Sequence, residues 1–236
     1  MTVEKSKESN SSLNEQYKQA VSKSMYVLPF YILVPVFFAV LFYMYGTAVV
    51  WQAFGLGALG WIIALLLRGP VSAIAMKTSS KEKAQSIVVS FSGPLEEGVR
   101  FGLLLLTSTS FSWAISLGQG WAAVEVLFTI VNGIVFISLA NRTDEKAMQA
   151  KEMLQSQGNF TATPLWGLIE RIFASAYHIG ATLVMAQIPW TVLLFIPFHS
   201  LFNLLSVKLL KKSIVLTEVF IAFVGIVVLL LGFVLM

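Results

Sequence analysis

Seven stretches of this sequence stay apolar for long enough to cross a lipid bilayer, and nothing else in it constrains the fold as tightly. A span needs about 20 predominantly apolar residues, because the hydrocarbon core is roughly 30 Å thick and a helix rises about 1.5 Å per residue. The stretches are 25–45, 49–67, 85–107, 113–140, 164–186, 190–207 and 213–236. The third is the least clean, since it contains Glu96, Glu97 and Arg100. Composition points the same way: 57% of residues are hydrophobic and 12% charged, with mean hydropathy +0.80. A soluble domain is typically about a quarter charged, so this chain lacks the shell that a cytosolic globule needs. The absence of cysteine excludes disulfide frameworks, thiolate zinc sites and cysteine nucleophiles. The expected fold class is all-α, a polytopic membrane protein of about seven transmembrane helices.

The sixteen Lys and Arg residues set the expected orientation. Lys5, Lys7, Lys18 and Lys23 precede the first stretch, and Arg68, Lys77, Lys81 and Lys83 lie between the second and third. Arg142, Lys146 and Lys151 follow the fourth, and Lys208, Lys211 and Lys212 follow the sixth. The alternate connections, near 46–48, 108–112 and 187–189, carry none. The positive-inside rule then predicts a cytoplasmic N-terminus and an outside C-terminus, for a multi-pass protein of the cell membrane. Basic residues distributed in this way flank spans, and no nucleic-acid partner is expected.

Residues 1–24 are polar. A Ser12-x-x-Glu15 capping box followed by Leu13, Tyr17 and Val21 at helical spacing predicts a short amphipathic helix on the membrane surface. Residues 25–236 are expected to form one transmembrane domain, with a cytoplasmic loop or helix over about 141–163. Gly55-Leu56-Gly57-Ala58-Leu59-Gly60 spells G-x-G-x-x-G, but no strand precedes it, so close helix packing is expected there rather than dinucleotide binding.

Ionisable residues within spans are costly and by default mark function. The third stretch has Glu96-Glu97-Gly98-Val99-Arg100, in which Arg100 can pair with either acid one turn away. The fourth has Gly118-Gln119-Gly120 with Glu125 and Asn132, the fifth Glu170-Arg171 and His178, and the sixth His199-x-x-x-Asn203. Helical rise puts Glu96 roughly 15–20 Å into its span, Glu125 about 22 Å, His178 about 20 Å and His199 about 14 Å. Four spans thus present an acid or a histidine in one layer. Glu170 and Asn203 fall shallower, and Glu218, near the end of its stretch, reads as interfacial.

A carboxylate with a histidine can activate water, and a second His with an Asn amide can donate to a developing oxyanion. Those are the parts for peptide hydrolysis without a nucleophilic side chain. Two His and two Glu could instead hold zinc, although the compact H-E-x-x-H signature is absent. No cofactor is expected, with zinc as the alternative.

Glu96-Glu97-x-x-Arg100 followed by His199-x-x-x-Asn203 resembles the glutamic-type intramembrane proteases, which include the CAAX-processing and bacteriocin-immunity group and the PrsW group. The sequence is more similar to the bacterial YhfC family, in which an E-E-x-x-R span is followed by G-x-G-H-G-G-x-E, E-R-x-x-A-x-x-x-H and a final-histidine span. Here Gly118-Gln119-Gly120 with Glu125, Glu170-Arg171-x-x-Ala174-x-x-x-His178 and His199 stand in that order, over about residues 85–205. The departure is Gln119, which stands where the family carries a histidine. Trp121 and Glu125 are similar to the PrsW group's aromatic-x-x-x-Glu.

The resemblance implies an intramembrane endopeptidase acting on a membrane-embedded or lipid-anchored peptide. It implies that Glu96 or Glu97 activates water with His178 or Glu125, that Arg100 orients the pair, and that His199 and Asn203 stabilise the oxyanion. Gln119, Glu170, Arg171 and Asn132 are expected in support. The alternatives are a proton- or cation-coupled transporter using the same groups, and an inactive relative acting as a binding or immunity factor with Gln119 as the lesion.

Overall fold

The computed structural model describes the backbone of residues 2–156 and 164–236, and the side chains of 12–152 and 164–236. Every regular element among these residues is helical. In chain order they are α1 (Thr2–Val27), a 3-10 turn (Leu28–Ile32), α2 (Leu33–Met44), α3 (Trp51–Thr78), α4 (Lys81–Ser90) and α5 (Ser92–Leu106). Then come α6 (Phe111–Ser138), α7 (Glu145–Ser156), α8 (Pro164–Gln187), a second 3-10 turn (Pro189–Thr191), α9 (Val192–Leu210) and α10 (Ile214–Leu235). Of the loop expected over 141–163, residues 157–163 lie outside the described residues.

Five helical stretches are long and apolar enough to cross a membrane: Ser12–Met44, Trp51–Thr78, Phe111–Ser138, Pro189–Leu210 and Ile214–Leu235. The 15-residue α5 and the polar-rich α8 are not among them. Polarity is inverted relative to a soluble protein. Glu97 and Arg100 are fully buried, while Leu66, Leu193 and Phe223 are each about two-thirds exposed. Water would penalise both halves of that pattern, and lipid outside with a polar interior reverses both penalties. The architecture is that of an all-helical membrane protein.

Three departures from the sequence expectation have local causes. First, α1 runs through Ser12, so the Ser12–Glu15 box lies inside a helix instead of at its start. Its Leu13, Tyr17 and Val21 are buried, with Tyr17 and Val21 packed against Phe136, Ile137 and Ala140 at the end of α6. Tyr17 donates to Phe136 O at 2.5 Å, and Lys151 of α7 donates to Asn14 Oδ1 and Arg142 O, each at 2.6 Å. A cation there suits the negative end of the α6 dipole. Second, α3 continues eleven residues past Leu67, which carries Arg68 into the helix. Third, the stretch 85–107 is two helices broken at Phe91.

Glycines set the closest helix approaches. A Cβ on Gly57 would lie 2.0 Å from Leu117 O, and one on Gly120 would lie 1.8 Å from Phe54 O, so the α3 and α6 backbones touch. Gly60 meets Leu103 and Trp121, whereas Gly55 faces open space. Two of the three glycines in the G-x-G-x-x-G string therefore serve helix packing.

Candidate functional site

The break before α5 positions the first acids. Pro94 has no N–H, so the carbonyl four residues back, that of Ser90, has no helical donor. Ser200 Oγ on α9 donates to that carbonyl at 2.6 Å. At Gly93, a Cβ would lie 2.0 Å from Ile196 O, so only glycine lets α9 come this close. Asn203 Nδ2 adds a bond to Ser92 Oγ at 2.8 Å. These contacts fix the start of α5 against α9, and with it Glu96 and Glu97 beside His199.

Helical periodicity brings the remaining side chains to one place. On α8, Glu170, Arg171, Ala174, Tyr177 and His178 follow an i, i+1, i+4, i+7, i+8 stripe, and on α9, His199, Phe202, Asn203 and Ser206 follow i, i+3, i+4, i+7. Both stripes line a cavity of about 150 Å³, together with Glu96, Glu125 and Arg68. That volume holds several water molecules. A second cavity of about 300 Å³ adjoins it and shares Trp61, Arg68, Glu125, Glu170 and Arg171.

Around the first cavity the charged groups form a contiguous chain. His199 Nδ1 donates to Glu97 Oε1 at 2.5 Å, and the other Glu97 oxygen pairs with Arg100. Arg100 Nη2 donates to His178 Nδ1 at 2.7 Å. A guanidinium has only donors, so Nδ1 must accept and the His178 ring proton sits on Nε2. That nitrogen lies 2.7 Å from Glu125 Oε2, within reach of the carboxylate but not aligned as a hydrogen bond. Glu125 Oε1 accepts from Arg171 Nη1 at 2.6 Å, and Arg171 also pairs with Glu170. Glu96 stands apart from this chain. It pairs with Arg68 and accepts from Trp121 Nε1 at 3.4 Å, and the Trp121 ring also lies under the Arg100 guanidinium, 4.5 Å from its centroid.

The two adjacent glutamates thus have different environments. Glu97 is fully buried, has both oxygens engaged and does not line the cavity, whereas Glu96 does. Glu125, His178, His199, Asn203, Glu170 and Arg171 all reach the cavity. Arg100 sits behind it and links Glu97 to His178.

Two expected supporting positions do not reach the site. Gln119 lines neither cavity; its Nε2 lies 3.5 Å from Phe38 O on α2, because its position on α6 faces away from α8. Asn132 is exposed on the outer face of α6. Glu218, read as interfacial, is buried, with one carboxylate oxygen lacking a hydrogen-bond partner. Two residues at the cavity were missed. Arg68 was counted among the cations flanking spans, although Trp61, Leu65 and Arg68 share one face of α3 at i, i+4, i+7 spacing. Tyr177 is an uncharged aromatic in an apolar stretch, where neither charge nor spacing singles it out.

The donor set does not suit zinc. Among the described residues no three His, Asp or Glu side chains are grouped to hold a metal ion. The physical reason is Arg100, whose guanidinium lies between Glu97 and His178, where a bound cation would stand. No protein-family model, curated protein or solved structure matches this chain.

Proposed function

We propose that the chain is an intramembrane endopeptidase with seven spans and a cytoplasmic N-terminus, cleaving a membrane-embedded or lipid-anchored peptide by a carboxylate-activated water. The observation that carries this reading is that Glu96, His178, His199 and Asn203, from three separate helices, line one water-sized cavity. Glu96 is the general base, since it alone of the two adjacent acids reaches that cavity. Glu97 and Arg100 form the buried frame that orients His199 and His178. His199 gives its Nδ1 proton to Glu97, and as an imidazolium facing that carboxylate it also offers Nε2–H to an oxyanion, while Asn203 keeps a second amide hydrogen beyond the one given to Ser92. Purified protein in liposomes, offered a library of membrane peptides, is expected to cleave some of them. Glu96→Gln is expected to lower that rate by about 10²–10⁴-fold, as loss of a general base does. Full activity in Glu96→Gln overturns the reading.

A second reading, a proton- or cation-coupled transporter, is favoured by the unbroken contact chain from His199 through Glu97, Arg100, His178, Glu125 and Arg171 to Glu170. Its mark would be a proton flux across liposomes, followed with an internal pH dye and abolished by Glu125→Gln. The inactive-relative reading loses its stated cause, because Gln119 does not face the cavity.

A further inference from the structure

The geometry points to Tyr177 as a catalytic residue whose hydroxyl donates a hydrogen bond to the oxyanion formed on the scissile carbonyl; this rests on the endopeptidase reading. Tyr177 is 1% exposed and lines the 150 Å³ cavity, yet its buried hydroxyl makes no aligned hydrogen bond, although the Glu97 carboxylate lies beside it. A buried phenol normally finds an acceptor, so an orphaned one calls for an explanation. Glu97 has acceptor sites to spare, but its two oxygens are aligned on His199 and Arg100 and not on the phenol.

The ring is held rigidly. It stacks on Phe202 at 5.2 Å between centroids, with 25° between planes, and on Phe198 at 6.3 Å. Its edges meet His178 at 5.3 Å and His199 at 5.1 Å. Tyr177 therefore forms a triangle with the two histidines of the site, which are themselves 5.6 Å apart. A donor fixed in place before the reaction, with no aligned ground-state bond to give up, is what oxyanion stabilisation requires.

The step balances with water alone. Water oxygen bonds to the scissile carbonyl carbon, a water proton passes to the Glu96 carboxylate, and the carbonyl π pair moves onto oxygen. That oxygen accepts from Tyr177 Oη–H while negative. When the tetrahedral intermediate collapses, the C–N bond breaks and the proton held by Glu96 goes to the departing amine.

The test is Tyr177→Phe, which removes the hydroxyl and keeps the ring stack, assayed beside wild type and Glu96→Gln. The expected result is a kcat about 10²–10³-fold lower with KM little changed. A phosphinic peptide, whose anionic oxygens imitate the tetrahedral intermediate, should bind Tyr177→Phe more weakly by a comparable factor, with binding of the uncleaved parent peptide unchanged. A merely structural tyrosine would weaken both ligands equally, and that outcome overturns the assignment. So does a full cleavage rate in Tyr177→Phe while Glu96→Gln is inactive, which leaves the endopeptidase reading intact. Full activity in Glu96→Gln, or none in wild type, overturns both.

Discussion

At the scale of single residues, identical chemistry separates into different roles through what each carboxylate touches. Glu96 pairs with a partly exposed Arg68, whereas Glu97 is locked with Arg100 in a pair from which both members are fully hidden. Removing one member of a buried pair strands the other, at a cost of about 3–5 kcal/mol. Arg100→Ala is therefore expected to lower thermal stability markedly in detergent, since it leaves the Glu97 charge without its guanidinium and His178 without its donor. Glu97→Gln should destabilise in the same direction, by stranding Arg100. Glu96→Gln should leave the melting midpoint nearly unchanged, because Arg68 can turn toward water. Equal midpoint losses in Glu96→Gln and Glu97→Gln would contradict this division.

At the scale of elements, the junction of α4, α5 and α9 decides whether the site exists. Pro94 breaks the helix, Ser200 satisfies the carbonyl left behind, and Gly93 allows the approach. Gly93→Val puts a branched side chain where Ile196 O already stands, and overpacking of that kind costs about 1–3 kcal/mol or more. It should also push α9 outward, taking His199 from Glu97. A cysteine cross-linking pair at the ends of α5 and α9, efficient in the parent and slow in Gly93→Val, would register that displacement. Ser200→Ala should act more mildly, by about 1–3 kcal/mol, since it leaves one buried carbonyl unpaired. Wild-type stability in Gly93→Val would show that α5 and α9 are not in contact there.

At the scale of the whole molecule, the one-sided basic residues predict that a reporter fused after Met236 faces outside and one placed near Gln149 faces the cytoplasm. Finding both on one side would refute seven spans. The sequence by itself determined the helical class, because runs of about 20 apolar residues are a matter of length and transfer energy that no tertiary contact has to supply. It also marked the charged residues in the spans, since a charge there is costly wherever the helices go, and the α8 and α9 stripes follow from the 3.6-residue period alone. Only the tertiary structure separates Glu96, which lines the cavity, from Glu97, which does not, since the two point about 100° apart and differ in nothing local. It alone turns Gln119 and Asn132 away from the cavity, and it alone brings Arg68 and Tyr177 to its wall. Those assignments depend on which face of each helix its neighbours cover, and that is settled by close contacts such as Gly57 on Leu117 and Gly93 on Ile196, between residues far apart in the chain.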